Sequence, residues 1–229
     1  MSTFLNRVYA RGLNRYKRAI FNRTYDKFRD YTMISRDAYV SNLLLASRVH
    51  HLPGCVVECG VWRGGMSAGI ADLLGEDRDY YLFDSFEGLP QAKEIDGASA
   101  LKWQKNTGSK EYYNNCMAPI EFAEKAMKLA GAKSYQLIKG WFNDTLPGFT
   151  PSQPISLLRL DGDWYDSTMT CLDGLFDFVC PGGIVVLDDY YTWDGCSRAL
   201  HDFLSKKSAI ERIESYRGVC FVTKRYQAD

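Results

Sequence analysis

From Cys55 to Lys206, short apolar runs suited to strands alternate with stretches of helical period, and this alternation restricts the fold more than any other feature. Cys55 to Val61 reads as a strand, Gly64 to Leu74 as a helix, and Tyr80 to Phe86 as the next strand. Pro119 to Ala130 is helical and Tyr135 to Trp141 extended. Ile155 to Leu160 and Gly183 to Leu187 are continuous apolar runs, as in strands buried on both faces, with a helix from Ser167 to Val179 between them. Asp194 to Lys206 is helical, and Glu211 to Tyr216 and Val219 to Lys224 flank Arg217-Gly218 as a terminal antiparallel hairpin. Strands interleaved with helices predict a doubly wound, mainly parallel α/β sheet.

Three segments stand outside the rhythm. Phe4, Leu5, Val8, Tyr9, Leu13, Tyr16, Ile20, Phe21, Tyr25 and Phe28 recur at helical spacing. The other faces of that helix carry eight Lys or Arg against Asp26 and Asp30, so the neutral chain has a basic start and an acidic remainder. Packing on the chain's own core or on a neighbouring subunit is preferred to lying on a membrane. A second helix runs from Ser35 to His51 and is closed by Pro53-Gly54. Residues 1–52 thus form an N-terminal helical extension or cap to a domain of residues 53–229. Between Glu87 and Ala118 a Lys-, Gly-, Ser- and Asn-containing stretch with Trp103, Tyr112 and Tyr113 is too long for a plain connection. It is expected to be a substrate-side lid, with a disordered segment as the alternative.

Composition excludes several classes. A formal net charge of zero argues against an electrostatic nucleic-acid binder. Seven scattered cysteines without a Cys-x-x-Cys pair point away from a disulfide framework or a zinc site, towards a reducing, cytoplasmic setting. No apolar run is long enough for stable membrane insertion.

The first strand enters a glycine turn, Glu58-Cys59-Gly60-Val61-Trp62-Arg63-Gly64-Gly65. In a doubly wound sheet, ligands bind beside this turn at the carboxyl ends of the strands. Trp62 stands where a dinucleotide fingerprint requires glycine, and Glu58 would repel a diphosphate while suiting the ammonium or sulfonium of S-adenosylmethionine. Asp84, ending the next strand, is placed to accept hydrogen bonds from ribose hydroxyls. Asp161 and Asp163 end one buried strand and Asp188 and Asp189 the next. Aspartates cap helices well, which accounts for one of them, but four converging carboxylates need a cation, a proton or a basic partner. Oxygen donors suit Mg²⁺ or another hard divalent cation. His50, His51 and His201 have no metal-ligand company.

Several motifs together resemble the macrocin O-methyltransferase family of antibiotic-tailoring enzymes. They are Tyr31-Thr32-Met33, Glu58 to Gly65, Asp84-Ser85-Phe86-Glu87-Gly88-Leu89-Pro90, and Lys139-Gly140-Trp141-Phe142 with Thr145-Leu146-Pro147. Asp161-Gly162-Asp163-Trp164-Tyr165-Asp166-Ser167-Thr168, Pro181-Gly182-Gly183 and Asp188-Asp189-Tyr190 complete the match. The resemblance implies a class I, Rossmann-like methyltransferase with a seven-stranded sheet, transferring methyl from S-adenosylmethionine to a hydroxyl of a sugar or phenol with Mg²⁺. It implies donor contacts from Thr32, Met33, Glu58, Gly60, Val61, Asp84, Ser85, Gly88, Trp141, Phe142 and Asp161, and metal ligation by Asp161, Asp188 and Asp189. Some members are thought to use a histidine base, but no histidine lies between His51 and His201, so Asp163 is the expected base. A homo-oligomer is expected, with the N-terminal helix closing the site or assembling subunits. The competing readings are a nicotinamide-dependent oxidoreductase and a membrane- or nucleic-acid-associated binding protein. Trp62 and the aspartates count against the first, and the second leaves the aspartates unexplained.

Overall fold

The computed structural model describes residues 16–226, which build one seven-stranded sheet with helices on both faces. Its strands are β1 (Cys55–Cys59), β2 (Asp79–Asp84), β3 (Ser134–Lys139), β4 (Ile155–Leu160), β5 (Val179–Leu187), β6 (Ile213–Tyr216) and β7 (Val219–Thr223). Across the sheet they run β3-β2-β1-β4-β5-β7-β6. β1 to β5 are parallel, while β7 is antiparallel to both neighbours, as the alternation and the terminal hairpin predict. The chain winds outward from β1 to β3 and then returns to β4, so the order reverses between β1 and β4. That switch opens a crevice at the carboxyl ends of the strands.

The helices are α1 (16–28), α2 (Arg36–Ala46), α3 (Gly65–Leu74), α4 (Ala98–Lys105), α5 (Ile120–Ala130), α6 (Phe142–Thr145), α7 (Tyr165–Leu175) and α8 (Asp194–Lys206). Successive strand residues face opposite layers. Val56, Leu157, Ile184 and Val186 pack with Leu43 of α2, Ile70 of α3 and Met127 of α5. Val57, Leu158, Val185 and Leu187 meet Leu172 of α7 and Leu200 and Phe203 of α8. Each such buried side chain contributes about 1.5–3 kcal/mol of transfer free energy.

Phe21 and Phe28 of α1 lie in the same core layer as α2 and β1, so α1 is part of the packed sheet layer. Its cations meet acids on neighbouring elements: Arg18 reaches Asp37 at 3.1 Å and Lys27 reaches Asp72 at 2.6 Å. The helical positions Phe4, Leu5, Val8, Tyr9 and Leu13 lie outside the described residues.

Element ends differ from expectation at several places, and three of the differences have identifiable reasons. β1 stops at Cys59 because Gly60 takes φ +88° and turns the chain. β5 begins at Val179 because Pro181-Gly182-Gly183 stays in the sheet, although Gly182 takes φ +84°. Gly182 N donates to Lys224 O at 2.9 Å, and Lys224 N donates to Gly183 O at 2.9 Å. The stretch from Glu87 to Ala118 is folded, with α4 and two 3₁₀ turns at Glu94–Asp96 and Lys110–Tyr112. Ala92, Ala100 and Trp164 form a small core there with Leu89, Leu101, Trp103 and Trp193 around it. Only Ala100 of α4 is fully buried, so the helix shows no apolar stripe in the sequence.

Candidate active site

The sheet ladder continues one residue past the strands. Asp161 N donates to Cys59 O at 2.8 Å, and Asp188 N donates to Leu160 O at 3.0 Å. These bonds bring Gly60, Asp161 and Asp188 to one level. A Cβ on Gly60 would stand 1.7 Å from the Asp161 carbonyl oxygen, so only glycine fits. Gly60 is thus packed closely on the chain's own backbone at Asp161 while it also faces a cavity over the strand ends.

Asp84 ends β2 and binds the glycine turn. Its Oδ2 accepts from Val61 N at 2.6 Å and Trp62 N at 2.8 Å, and its Oδ1 from Phe86 N at 2.6 Å. Burial raises its pKa, opposed by these three amides. Beside it, the Ser85 hydroxyl donates to Gly88 O at 2.8 Å.

A cavity of about 630 Å³ opens over these strand ends. Met33, Gly60, Asp84, Ser85, Gly88, Trp141 and Phe142 line one part, and Asp161, Asp163, Asp188 and Asp189 line another. Three expected donor contacts do not line it. Thr32 Oγ1 accepts from Ile34 N at 3.4 Å, and Val61 gives its amide to Asp84. Glu58 is buried, accepting from the Ser67 hydroxyl and from Arg159 Nη1, the latter at 2.6 Å. The cationic partner expected of a ligand at Glu58 is Arg159.

Arg159 is the site residue that sequence reasoning missed. It lies fully buried in β4, with Nη1 2.8 Å from Asp161 Oδ2 and Nη2 2.9 Å from Asp188 Oδ1. Nε donates to Asn42 Oδ1 at 3.3 Å, and Asn42 Nδ2 donates to Asp188 Oδ1 at 3.1 Å. The available signal was a lone arginine within Leu157-Leu158-Arg159-Leu160. A charge in a doubly buried strand requires partners at the same depth.

The carboxylates divide in consequence. Asp161, Asp163 and Asp189 bring oxygens within 4.8 Å of one another. Asp188 turns to Arg159 and Asn42 instead. Asp163 N donates to Asp189 Oδ2 at 3.3 Å, and Trp193 Nε1 donates to Asp163 Oδ1 at 2.8 Å. Burial, and then the neighbouring negative charges, push Asp163 and Asp189 well above the usual carboxylate range, and burial raises Asp161 as well. Half-buried to buried carboxylates clustered in this way, with only oxygen donors, fit a hard divalent cation. Asp163 has φ +57°, a left-handed conformation that aspartate adopts more readily than most residues. His201 Nε2 lies 2.9 Å from Tyr190 OH, away from this group.

A model of the Macrocin-O-methyltransferase (TylF) family matches residues 17–224. The chain belongs to this family. A tetracenomycin-C rhamnosyl 4'-O-methyltransferase of Streptomyces olivaceus is 34% identical over 173 residues, covering 73% of this chain and 64% of the relative. Demethyldecarbamoylnovobiocin O-methyltransferase of Streptomyces niveus is 33% identical over 168 residues, covering 69% of this chain and 60% of the relative. The macrocin-family chain therefore spans less than two thirds of the length of these curated relatives. The structure of the O-methyltransferase NovP is 27% identical with a TM-score of 0.71, over 86% of this chain and 83% of that one. The calicheamicin methyltransferase CalS11 shares the fold at a TM-score of 0.61 and 21% identity, over 81% of this chain and 77% of that one. The architecture is the class I, Rossmann-like methyltransferase fold that the sequence resemblance implied.

Proposed function

We propose that this protein transfers a methyl group from S-adenosylmethionine to a hydroxyl of a glycosylated small molecule, in a reaction that depends on a divalent cation. The observation that carries the reading is the group of four carboxylates, Asp161, Asp163, Asp188 and Asp189, at the mouths of β4 and β5, facing the same cavity as Asp84 and Gly60. Relatives whose names describe rhamnosyl and novobiocin acceptors support a sugar hydroxyl as the target.

Asp84, Ser85, Gly88 and the Trp141-Phe142 segment form the donor side. Asp84 keeps the glycine turn in place through the three amides it accepts. S-adenosylmethionine, when bound, supplies an electrophilic methyl on sulfur. Asp161, Asp188 and Asp189 would hold the cation, which would neutralise their charge and lower the pKa of a nearby acceptor hydroxyl. Asp163 takes the hydroxyl proton as the oxygen forms its bond to the methyl carbon and the carbon–sulfur bond breaks. Asp163 faces the cavity beside the proposed ligands, within reach of a hydroxyl brought there, which suits the role of base. Arg159 keeps Asp161 and Asp188 in place throughout.

The nicotinamide reading is not favoured, because Trp62 occupies the glycine position of a dinucleotide fingerprint and the chain belongs to a methyltransferase family. The association of α1 with acidic surfaces is not favoured either, since Arg18 and Lys27 pair within the fold. Thermal shift with S-adenosylhomocysteine and with NAD separates the enzymatic readings. Stabilisation by the first and not the second is the expected result; stabilisation by NAD alone would overturn the proposal. Acceptors for assay are the rhamnosyl tetracenomycin and demethyldecarbamoylnovobiocin glycosides that the relatives' names describe.

A further inference from the structure

Trp193 connects the two aspartate-bearing loops. Its backbone N donates to Asp189 O at 2.9 Å, and its indole Nε1 donates to Asp163 Oδ1 at 2.8 Å. It precedes α8, so the helix start and the end of β5 are fixed to the loop after β4 through one residue. We infer that Trp193 is a positioning residue for the proposed base. Its indole N–H occupies Oδ1 of Asp163 and thereby selects the other oxygen for the acceptor proton. This inference rests on the reading of Asp163 as that base.

Three further observations carry it. First, Asp163 sits at φ +57°, a sparsely populated backbone conformation that persists only where surrounding contacts hold it. Second, the indole is itself held. Trp193 and Trp164 stack edge to face with centroids 5.4 Å apart, and Trp103 of α4 meets them at 5.9 Å and 6.1 Å. Third, the segment that carries Trp103 is fastened to the aspartate loop. Trp164 Nε1 donates to Pro90 O at 2.9 Å, and Tyr165 N donates to Asp96 Oδ1 at 2.7 Å. A Cβ on Gly195 would stand 2.3 Å from Asp96 Oδ1, so this segment also sits directly on the start of α8. Residues 87–118 therefore back the indole that orients Asp163. An indole N–H in this position is a second layer of support, fixing a reacting group without touching substrate.

The test uses Trp193→Phe, which keeps an aromatic ring and removes the N–H, together with Asp163→Asn and the double variant. Methyl transfer is followed to the two glycosides named above, and S-adenosylhomocysteine affinity is measured by calorimetry. Trp193→Phe is expected to lower kcat by about tenfold or more while KM and S-adenosylhomocysteine affinity stay within about twofold. In the double variant the loss should equal that of Asp163→Asn alone, because the indole acts only through that carboxylate. Wild-type kcat in Trp193→Phe, or losses that add in full, would overturn the inference. Full activity in Asp163→Asn instead sinks the base assignment, a distinguishable outcome. A measurement independent of turnover is the indole ¹H–¹⁵N resonance of Trp193 in the wild-type protein and in Asp163→Ala. The resonance should move upfield when its acceptor is removed, and an unmoved resonance rejects the bond even if Trp193→Phe does not fold.

Discussion

Arg159 Nη1 lies 2.6 Å from Glu58 Oε1, in a pair whose side chains are 2% and 1% exposed. The two residues are register partners in the parallel ladder of β4 and β1, so the ion pair is built into the middle of the sheet. The same guanidinium reaches Asp161 and Asp188, which carries the pairing from the sheet interior to the floor of the cavity. One buried cation thereby fixes carboxylates on three adjacent strands.

Replacing Arg159 with Met leaves Glu58 buried, and Asp161 and Asp188 half-buried, without their partner and should cost about 3–5 kcal/mol. Urea denaturation measures this directly. The double variant Arg159→Met, Glu58→Gln should recover part of the loss, because one of the stranded charges is removed with it. A single-variant loss below about 1 kcal/mol, the value of an exposed pair, contradicts the assignment.

Gly60→Ala places a methyl group against the Asp161 carbonyl in a left-handed backbone conformation. The backbone strain alone should cost about 1–3 kcal/mol. Relieving the clash pushes the ends of β1 and β4 apart and displaces Asp161, so methyl transfer should fall further than stability does. Comparing melting temperature with kcat/KM checks this, and equal wild-type activity would contradict it.

Asp84→Asn puts an amide NH₂ where the carboxylate now accepts three backbone N–H groups. At least one of those amides loses its acceptor, at about 1–3 kcal/mol for a buried donor. The glycine turn loosens with it, and S-adenosylhomocysteine affinity should drop about tenfold or more, since 1.4 kcal/mol is a factor of ten. Unchanged affinity by calorimetry places the donor elsewhere.

Asp188→Asn and Asp163→Asn should separate by role. Asp188→Asn weakens Mn²⁺ binding to the substrate-free protein, as read by electron paramagnetic resonance. Asp163→Asn keeps that binding and loses turnover by about 10²–10⁴-fold, the range for a missing general base. If Asp163→Asn releases the ion and Asp188→Asn does not, the ligands are the three whose oxygens converge, Asp161, Asp163 and Asp189.

Sequence periodicity reached the fold readily where a single element decides its own limits. β4 from Ile155 to Leu160 and α8 from Asp194 to Lys206 coincide with the structure residue for residue. It failed at β5, where Pro181-Gly182-Gly183 carries turn chemistry but is held in the sheet by hydrogen bonds to Lys224, which follows β7. It failed again at α4, a short helix in which only Ala100 is fully buried, so that burial imposes no long apolar period on its sequence. In the site, Asp84 and the four strand-end aspartates were legible because carboxylates ending apolar runs are local patterns. Glu58 was legible as a charge but not in its partner, since Arg159 lies 101 positions away. The link from Trp193 to Asp163 is tertiary in the same way, 30 positions apart, and no local pattern announces it.

Metal-dependent methyl transfer at the carboxylate cavity is tested most directly by mass spectrometry of the two glycosides after incubation with S-adenosylmethionine. The protein is first stripped with a chelator and then supplied with Mg²⁺. The account predicts no product from the stripped protein, a mass gain of one methyl group on a sugar hydroxyl when Mg²⁺ returns, and no recovery in Asp161→Asn. Undiminished methylation in the stripped protein, or in Asp161→Asn, would contradict it.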